Sequence, residues 1–438
     1  MRHAPWVVVG TFILTLAFGW FALKVRINPD FTSLLPPNAA VNALLKEYEG
    51  GAPPADLLLF AATADPSTGG IFSPGPLAAY AEAVRAISAL EGVRSVVSPF
   101  NLLAFDKVGG RLALRQMSPG GTVPPAEGIP DFRARLTGAR YANNLVVSSD
   151  GTMLISYIET ESMGSFKAFM GRVDAIAAAA RAKGVVPYVT GTIPLSVRTE
   201  YHISYDATRL LGLAALIILL SYIAGFRSLR AVVLPLLSTL FGTLWTVGFM
   251  GIMGFSLSLI TIVAPPLILI FGNEYNIFTT SEYLRLARHE AGAPGWIERA
   301  SRNVTAPIIM AALTTLVGFL SLLTTSIRQT REFAVTASFG SLACAFLALF
   351  FLPAMYALMR PPVVRTHKPG GAFERLMRVV ARFSYRVPAI VLGLLAATVV
   401  LFAVTQRHLI FNTDPASYFP QKDPVLKDMA SIYSRAGG

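Results

Sequence analysis

Residues 207–225 read ATRLLGLAALIILLSYIAG, and this stretch decides the fold. Its one charge, Arg209, stands near the start, and about 20 mostly apolar residues suffice to cross about 30 Å of hydrocarbon. Six further runs have the same character, at roughly 5–23, 231–250, 256–280, 306–326, 333–358 and 388–405. Over all 438 residues, 53% are hydrophobic and only 14% are charged. Soluble chains carry about 25% charged residues, so this reads as a polytopic α-helical membrane protein. The run at 5–23 follows Arg2 as a signal peptide would, but Lys24-Val25-Arg26 stands where a small-residue cleavage site is needed, so it reads as a retained anchor.

The basic residues set an expected orientation. Arg227 and Arg230 follow the second run, and Arg285, Arg288, Arg299 and Arg302 follow the fourth. After the sixth come Arg360, Arg365, Lys368, Arg375, Arg378, Arg382 and Arg386 against a single acid, Glu374. With the amino terminus in the cytoplasm every basic loop lies inside, as the positive-inside rule requires. The net charge of +12 is then an orientation signal and a lipid-headgroup contact, not a nucleic-acid patch. The expected localisation is the cytoplasmic (inner) membrane, multi-pass, with residues 26–205 outside.

The expected domains are a first transmembrane helix at 1–25, an extracytoplasmic α+β domain at 26–205, and transmembrane helices 2–6 at 206–360. A basic cytoplasmic linker at 361–387, a seventh helix at 388–405 and the start of a second extracytoplasmic domain at 406–438 complete the order. Within 26–205 the pattern predicts strands at 55–62, 93–97, 145–147, 152–158 and 185–190, and helices at 77–91 and 166–182. Ser148-Ser149-Asp150-Gly151 reads as a hairpin turn and 118–130 as a Pro/Gly-rich excursion loop. The order β-α-β, β-β, α-β suggests a small ferredoxin-like sandwich. Its carboxylates Asp56, Glu82, Asp150, Glu159 and Asp174 read as solvated, and none forms a catalytic group.

The chain also looks duplicated. Ile27-Asn28-Pro29-Asp30 matches Phe411-Asn412-Thr413-Asp414, Pro36 matches Pro420, and Val41 matches Val425, all at one offset of 384 (411 minus 27). On that reading the whole protein has two parallel repeats of six spans and about twice this length.

Among the membrane runs, one ionisable residue stands out. Glu274 lies in Phe271-Gly272-Asn273-Glu274-Tyr275-Asn276-Ile277-Phe278, eight residues (about 12 Å) before Glu282 near the cytoplasmic end. A charged acid near the bilayer centre costs about 2.5–3.5 kcal/mol, so the neutral form is the cheaper one. Such a carboxyl suits a proton carrier, with Tyr275, Asn273 and Asn276 as neighbours that orient it and Thr314 and Thr315 of the fifth run as relay hydroxyls. Gly272 and Pro265-Pro266 are expected to loosen the helix and allow close approach. Cys344, the one cysteine, reads as a small packing residue, which excludes a disulfide framework and Cys-based zinc sites. With no P-loop, nucleophile or metal cluster in view, the chain does not read as an enzyme and no cofactor is expected.

The layout resembles the resistance–nodulation–division (RND) superfamily, and within it the MMPL-like exporters. The matching residues are Gly272-x-Glu274-Tyr275 with Glu282-Tyr283, and Ala306-Pro307-Ile308, Ala312-Leu313-Thr314-Thr315, Gly318-Phe319, Phe339-Gly340 and Leu352-Pro353. Gly92-Val93-x-Ser95-Val96 and Asn28-x-Asp30…Leu35-Pro36 resemble the borders of the outer domain. The likeness spans essentially the whole chain. It implies an RND-like half-transporter with a porter-type outer domain, exporting hydrophobic or lipidic substrates on inward proton flow, with the proton gradient as its energy source. Glu274 takes the position of the family's aspartate, and Asn273 is a second departure; the relay partners of the tenth span fall beyond Gly438. The partners implied are a hydrophobic or lipid substrate, the bilayer, and a periplasmic adaptor or a homo-oligomer. Alternative readings are a SecD/SecF-like accessory of protein export and a sterol- or hopanoid-binding scaffold without transport.

Overall fold

The structure, a computed structural model, describes residues 3–29, 56–108, 111–139, 142–161, 163, 165–226, 228–290, 295–359, 379, 381–382, 388–406, 419–420 and 422–436. Asp30, Leu35, Pro36, Asn412 and Asp414 of the repeat, Arg227, and most of the basic linker lie outside the described residues.

Among the described residues, five helices are long and apolar enough to cross a membrane: Ala4–Ala22, Thr192–Gly225, Leu229–Met253, Trp296–Thr324 and Arg328–Leu358. They carry the runs read at 5–23, 207–225, 231–250, 306–326 and 333–358. Of the other two, the run at 388–405 is helical throughout, whereas that at 256–280 is α-helical only from Ala264, after a bridge at Leu257 and a 3-10 turn at Thr261–Val263. Ala264–Glu290 falls short of the five in apolarity because Asn273-Glu274-Tyr275-Asn276 interrupts it, and in Pro388–Thr405 the described apolar part, Leu392–Thr405, is shorter. The helices are numbered here α1 (Ala4–Ala22), α5 (Thr192–Gly225), α6 (Leu229–Met253), α7 (Ala264–Glu290), α8 (Trp296–Ser321), α9 (Arg328–Phe346), α10 (Leu352–Leu358), α11 (Pro388–Thr405) and α12 (Pro424–Ala436). A single π turn, Leu347–Phe351, joins α9 to α10 just before Pro353, whose ring could not fit an unbroken α-helical ladder.

Small residues set the packing of the bundle. The Phe18 and Phe21 carbonyls of α1 press onto Gly248 and Gly251 of α6, where any Cβ would overlap them. The Trp245 indole N–H donates to Thr15 Oγ1 at 2.9 Å, and the Trp245 ring stacks on Phe18 with centroids 5.4 Å apart. In hydrocarbon, where apolar contact alone drives little association, close backbone approach of this kind is a main source of helix–helix affinity.

Between α1 and α5 lies an α/β domain: β1 (Asp56–Ala64), α2 (Pro74–Ser88), β2 (Val93–Val97), β3 (Leu103–Val108), β4 (Arg111–Gln116), α3 (Ile129–Gly138), β5 (Met153–Thr160), α4 (Lys167–Ala182) and β6 (Val185–Thr190). Four strands form an antiparallel sheet in the order β2-β5-β1-β6, the two β-α-β halves interleaving as in a split βαβ sandwich. Leu58, Phe60, Tyr80, Ile87, Ile158 and Val173 fill the space between sheet and helices. The opposite face carries Ala61, Met153 and Ile155, and α12 covers it with Ile432 and Ala436.

Two local readings need correction. Residues 145–147 form no strand; Val147 makes isolated bridges only, to Leu154 across the Ser148–Gly151 turn and to Asn143. Asp150 caps that turn by accepting from the Thr152 N–H at 2.9 Å. The stretch at 118–130 is not all loop, because it leads into α3, which buries Phe132 and Leu136. The β3–β4 hairpin was not foreseen at all.

The domain runs into α5 through a single residue. Gly191 (φ 112°) turns the chain from β6 into α5, and a Cβ there would overlap the Leu57 carbonyl. At 1.5 Å per residue, the 34 residues of α5 extend about 51 Å, well beyond a bilayer core.

Candidate functional site: the Glu274 groove

Helix α7 begins after a tight turn in which the Ser258 N–H donates to Thr261 Oγ1 at 2.7 Å. Pro265 and Pro266 occupy its first turn, where a missing N–H costs nothing, so they start the helix and do not loosen its middle. Gly272 does serve close approach: a Cβ there would sit 2.9 Å from Cys344 Sγ and 3.3 Å from Thr239 Cγ2. Glu274 stands ten residues into α7, about 15 Å from its start.

Its neighbours divide by helix face. Asn276 is fully buried against α6: it accepts from Ser238 Oγ at 3.1 Å and donates to Thr239 Oγ1 at 2.8 Å and to the Pro235 carbonyl at 3.2 Å. Tyr275 is buried against α9, its hydroxyl 3.2 Å from Ser341 Oγ. Asn273 is half-buried; its carbonyl accepts from the Tyr222 hydroxyl of α5 at 3.5 Å, and its buried Oδ1 has no hydrogen-bond partner among the described residues.

Glu274 points the other way. It is exposed on the bundle, and its carboxylate has no ion pair or hydrogen bond among the described residues. It opens onto a groove of about 580 Å³ between α7 and α8, walled by Ile270, Ile277, Phe278, Pro307, Ile308 and Ala311. Depth along the helix was legible in the sequence, but the face was not.

The two helices run antiparallel here. Asn303 Nδ2 donates to Glu282 Oε1 at 2.6 Å at one end, and the Phe271 and Phe319 rings meet at 5.8 Å toward the other. Between these ties, Glu274 shares the groove with Pro307, Ile308 and Ala311, and Thr314 and Thr315 follow Ala311 by three and four residues. Thr314, however, is exposed and spends its hydroxyl on its own helix, donating to the Met310 and Ala311 carbonyls at 3.1 and 2.9 Å, the usual fate of a helical threonine. Thr315 is half-buried, and neither threonine lines the groove.

Ser341, Ser238, Thr239 and Tyr222 were missed as members of the site. Their signal was present as polar side chains inside apolar runs, which need partners in hydrocarbon. No group of three or more His, Cys, Asp or Glu able to hold a metal occurs among the described residues.

Comparison with known proteins agrees with this architecture. The family model of the MMPL family matches residues 57–391, from the first strand of the α/β domain into α11. A protein of Methanocaldococcus jannaschii, itself named only as a membrane protein, is 24% identical over 358 residues, covering 79% of this chain and 88% of its own. The chain belongs to the MMPL family of membrane proteins.

Proposed function

From membership of that transporter family, we propose that the chain is part of a proton-motive-force-driven exporter of hydrophobic or lipidic substrates, with Glu274 as the proton acceptor. The observation that carries this reading is an acidic side chain about 15 Å along a bundle helix, facing an apolar groove, with no cation beside it among the described residues. A carboxyl so placed costs about 2.5–3.5 kcal/mol when charged within a membrane. Proton binding removes that cost, so two loading states favour two arrangements of the groove, and an inward proton gradient can drive their exchange.

Tyr275 and Asn276 act in this account by fixing α7. Their hydrogen bonds to Ser341, Ser238 and Thr239 hold the helix so that Glu274 presents its carboxyl to the groove. Asn273, with its unpartnered Oδ1, is the adjacent acceptor for a shared proton. Thr314 and Thr315, farther along α8, are relay hydroxyls, a role that Thr314 serves only after releasing its helix carbonyls. The α/β domain is the porter-type module, outside the cytoplasmic membrane, and α5 transmits its movement. Replacing Glu274 by Gln in the full protein tests the proposal: export should stop while the protein remains folded and membrane-inserted.

A further inference from the structure

A second cavity lies on the α/β domain, far from Glu274 in the chain. It measures about 410 Å³ and opens between the C-terminal half of α2, β2 and the Gly120-Gly121 turn. Its lining includes two guanidinium groups, from Arg85 and Arg94, and the hydroxyl residues Ser88, Ser95 and Thr122. The charge balance is positive. Arg85 has no acidic partner among the described residues, and Arg94 reaches only Glu159, at 4.0 Å. That carboxylate already accepts from Ser95 Oγ at 2.8 Å, so Arg94 keeps donors to spare.

The end of α2 does not cancel this charge. The Arg85 carbonyl accepts from Ser88 Oγ and the Ala89 N–H, and the Ile87 carbonyl from the Leu90 N–H, so the negative end of the helix is largely satisfied. The lining also has an apolar part. Val84 and Phe100 are buried, and Phe100 is fixed by stacking on Phe132 at 5.7 Å. Guanidinium forks match oxyanions by paired N–H donors.

We infer that this cavity binds the phosphate of an amphiphile, the headgroup on Arg85 and Arg94 and the adjoining carbons on Phe100 and Val84. The site does not depend on the role of Glu274.

The test is calorimetric titration of the purified full-length chain in maltoside micelles with dihexanoyl phosphatidic acid, dihexanoyl phosphatidylcholine and inorganic phosphate. Saturable binding of the phosphatidic acid is expected, at least tenfold tighter than the phosphatidylcholine, and weakened at least tenfold by Arg85→Ala with Arg94→Ala. Arg85→Glu serves as a second variant that leaves the Arg94–Glu159 pair intact. Inorganic phosphate binding as tightly as the lipid, through the same arginines, would assign the site to free phosphate and overturn the apolar part. Lipid binding unchanged in both variants, or no saturable binding, would overturn the whole inference. Glu274→Gln should bind the lipid as the unaltered chain does, which separates this site from the proposed proton acceptor.

Discussion

Asp423 and Arg198 stand 225 residues apart in the chain and meet through a forked pair, with Arg198 Nη2 3.0 Å and Nε 3.2 Å from Asp423 Oδ2. His202 Nε2 lies 3.1 Å from the same oxygen, and the Val425 N–H donates to Oδ1 at 3.1 Å, while the Asp423 side chain is only 2% exposed. Together with the Val189 N–H donating to Asp428 Oδ2 at 3.0 Å, these bonds seat α12 against the start of α5 and strand β6. Burial by itself would raise the Asp423 carboxyl, but the bonds from Arg198, His202 and Val425 outweigh it and hold it below the ordinary carboxylate value. A carboxyl depressed on docking contributes above its undocked value, about 3.9, and is lost as pH falls through its docked one. The contribution of Asp423 should therefore hold from pH 8 to pH 5 and fade only below about pH 4. At neutral pH, Asp423→Ala should cost about 1–3 kcal/mol of docking, read as faster amide exchange in residues 424–436.

The α1–α6 contact predicts an intolerance to one methyl group. Gly248→Ala and Gly251→Ala each place a Cβ against a main-chain carbonyl of α1, which has no side-chain freedom to retreat. Overpacking of this kind costs about 1–3 kcal/mol. Thermal unfolding in detergent should show both variants destabilised, whereas Gly10→Ala, with open space around it, should be close to neutral.

Asn276 makes three hydrogen bonds to α6 from a fully buried position. Asn276→Leu should destabilise the α6–α7 pair by about 1–3 kcal/mol, through loss of these bonds and the unpaired Ser238 hydroxyl left behind. The same change should reduce transport by misplacing Glu274, with residual activity still proton-dependent.

Cys344 marks where α6, α7 and α9 converge, with its sulfur against Gly242 and Gly272. At 1% exposure, it should resist maleimide in the native protein and react fully after unfolding in SDS. Rapid labelling of the native chain would mean that the three helices do not pack this way.

The bundle was legible because hydrocarbon imposes one requirement, a run of apolar residues long enough to cross, and residues 207–225 satisfy it openly. The split sheet was legible because Leu77–Ile87 and Lys167–Ala182 keep a 3.6-residue period, the second ending just before Gly184 in the left-handed region (φ 84°). The β3–β4 hairpin escaped although the sequence carries the two-residue hairpin signal Gly-Gly at 109–110, since Asp106, Lys107, Arg111 and Arg115 dilute the alternation around it. Helix α3 escaped because Pro124, Pro125 and Pro130 draw the eye to loops, while Pro130 is acceptable in a first turn. At Glu274 the sequence fixes only distance along the helix. Whether a residue faces α6, α9 or the open groove depends on which neighbours are present, and Asn276 and Glu274, two positions apart, fall on opposite sides of that division.

The most direct test reconstitutes the full protein into vesicles containing a pH-sensitive dye, imposes an inward proton gradient, and records acidification with and without an exportable hydrophobic substrate. If Glu274 carries the proton, substrate should accelerate acidification in the unaltered protein and have no effect in Glu274→Gln. Substrate-dependent proton entry at an unchanged rate in Glu274→Gln would contradict the account.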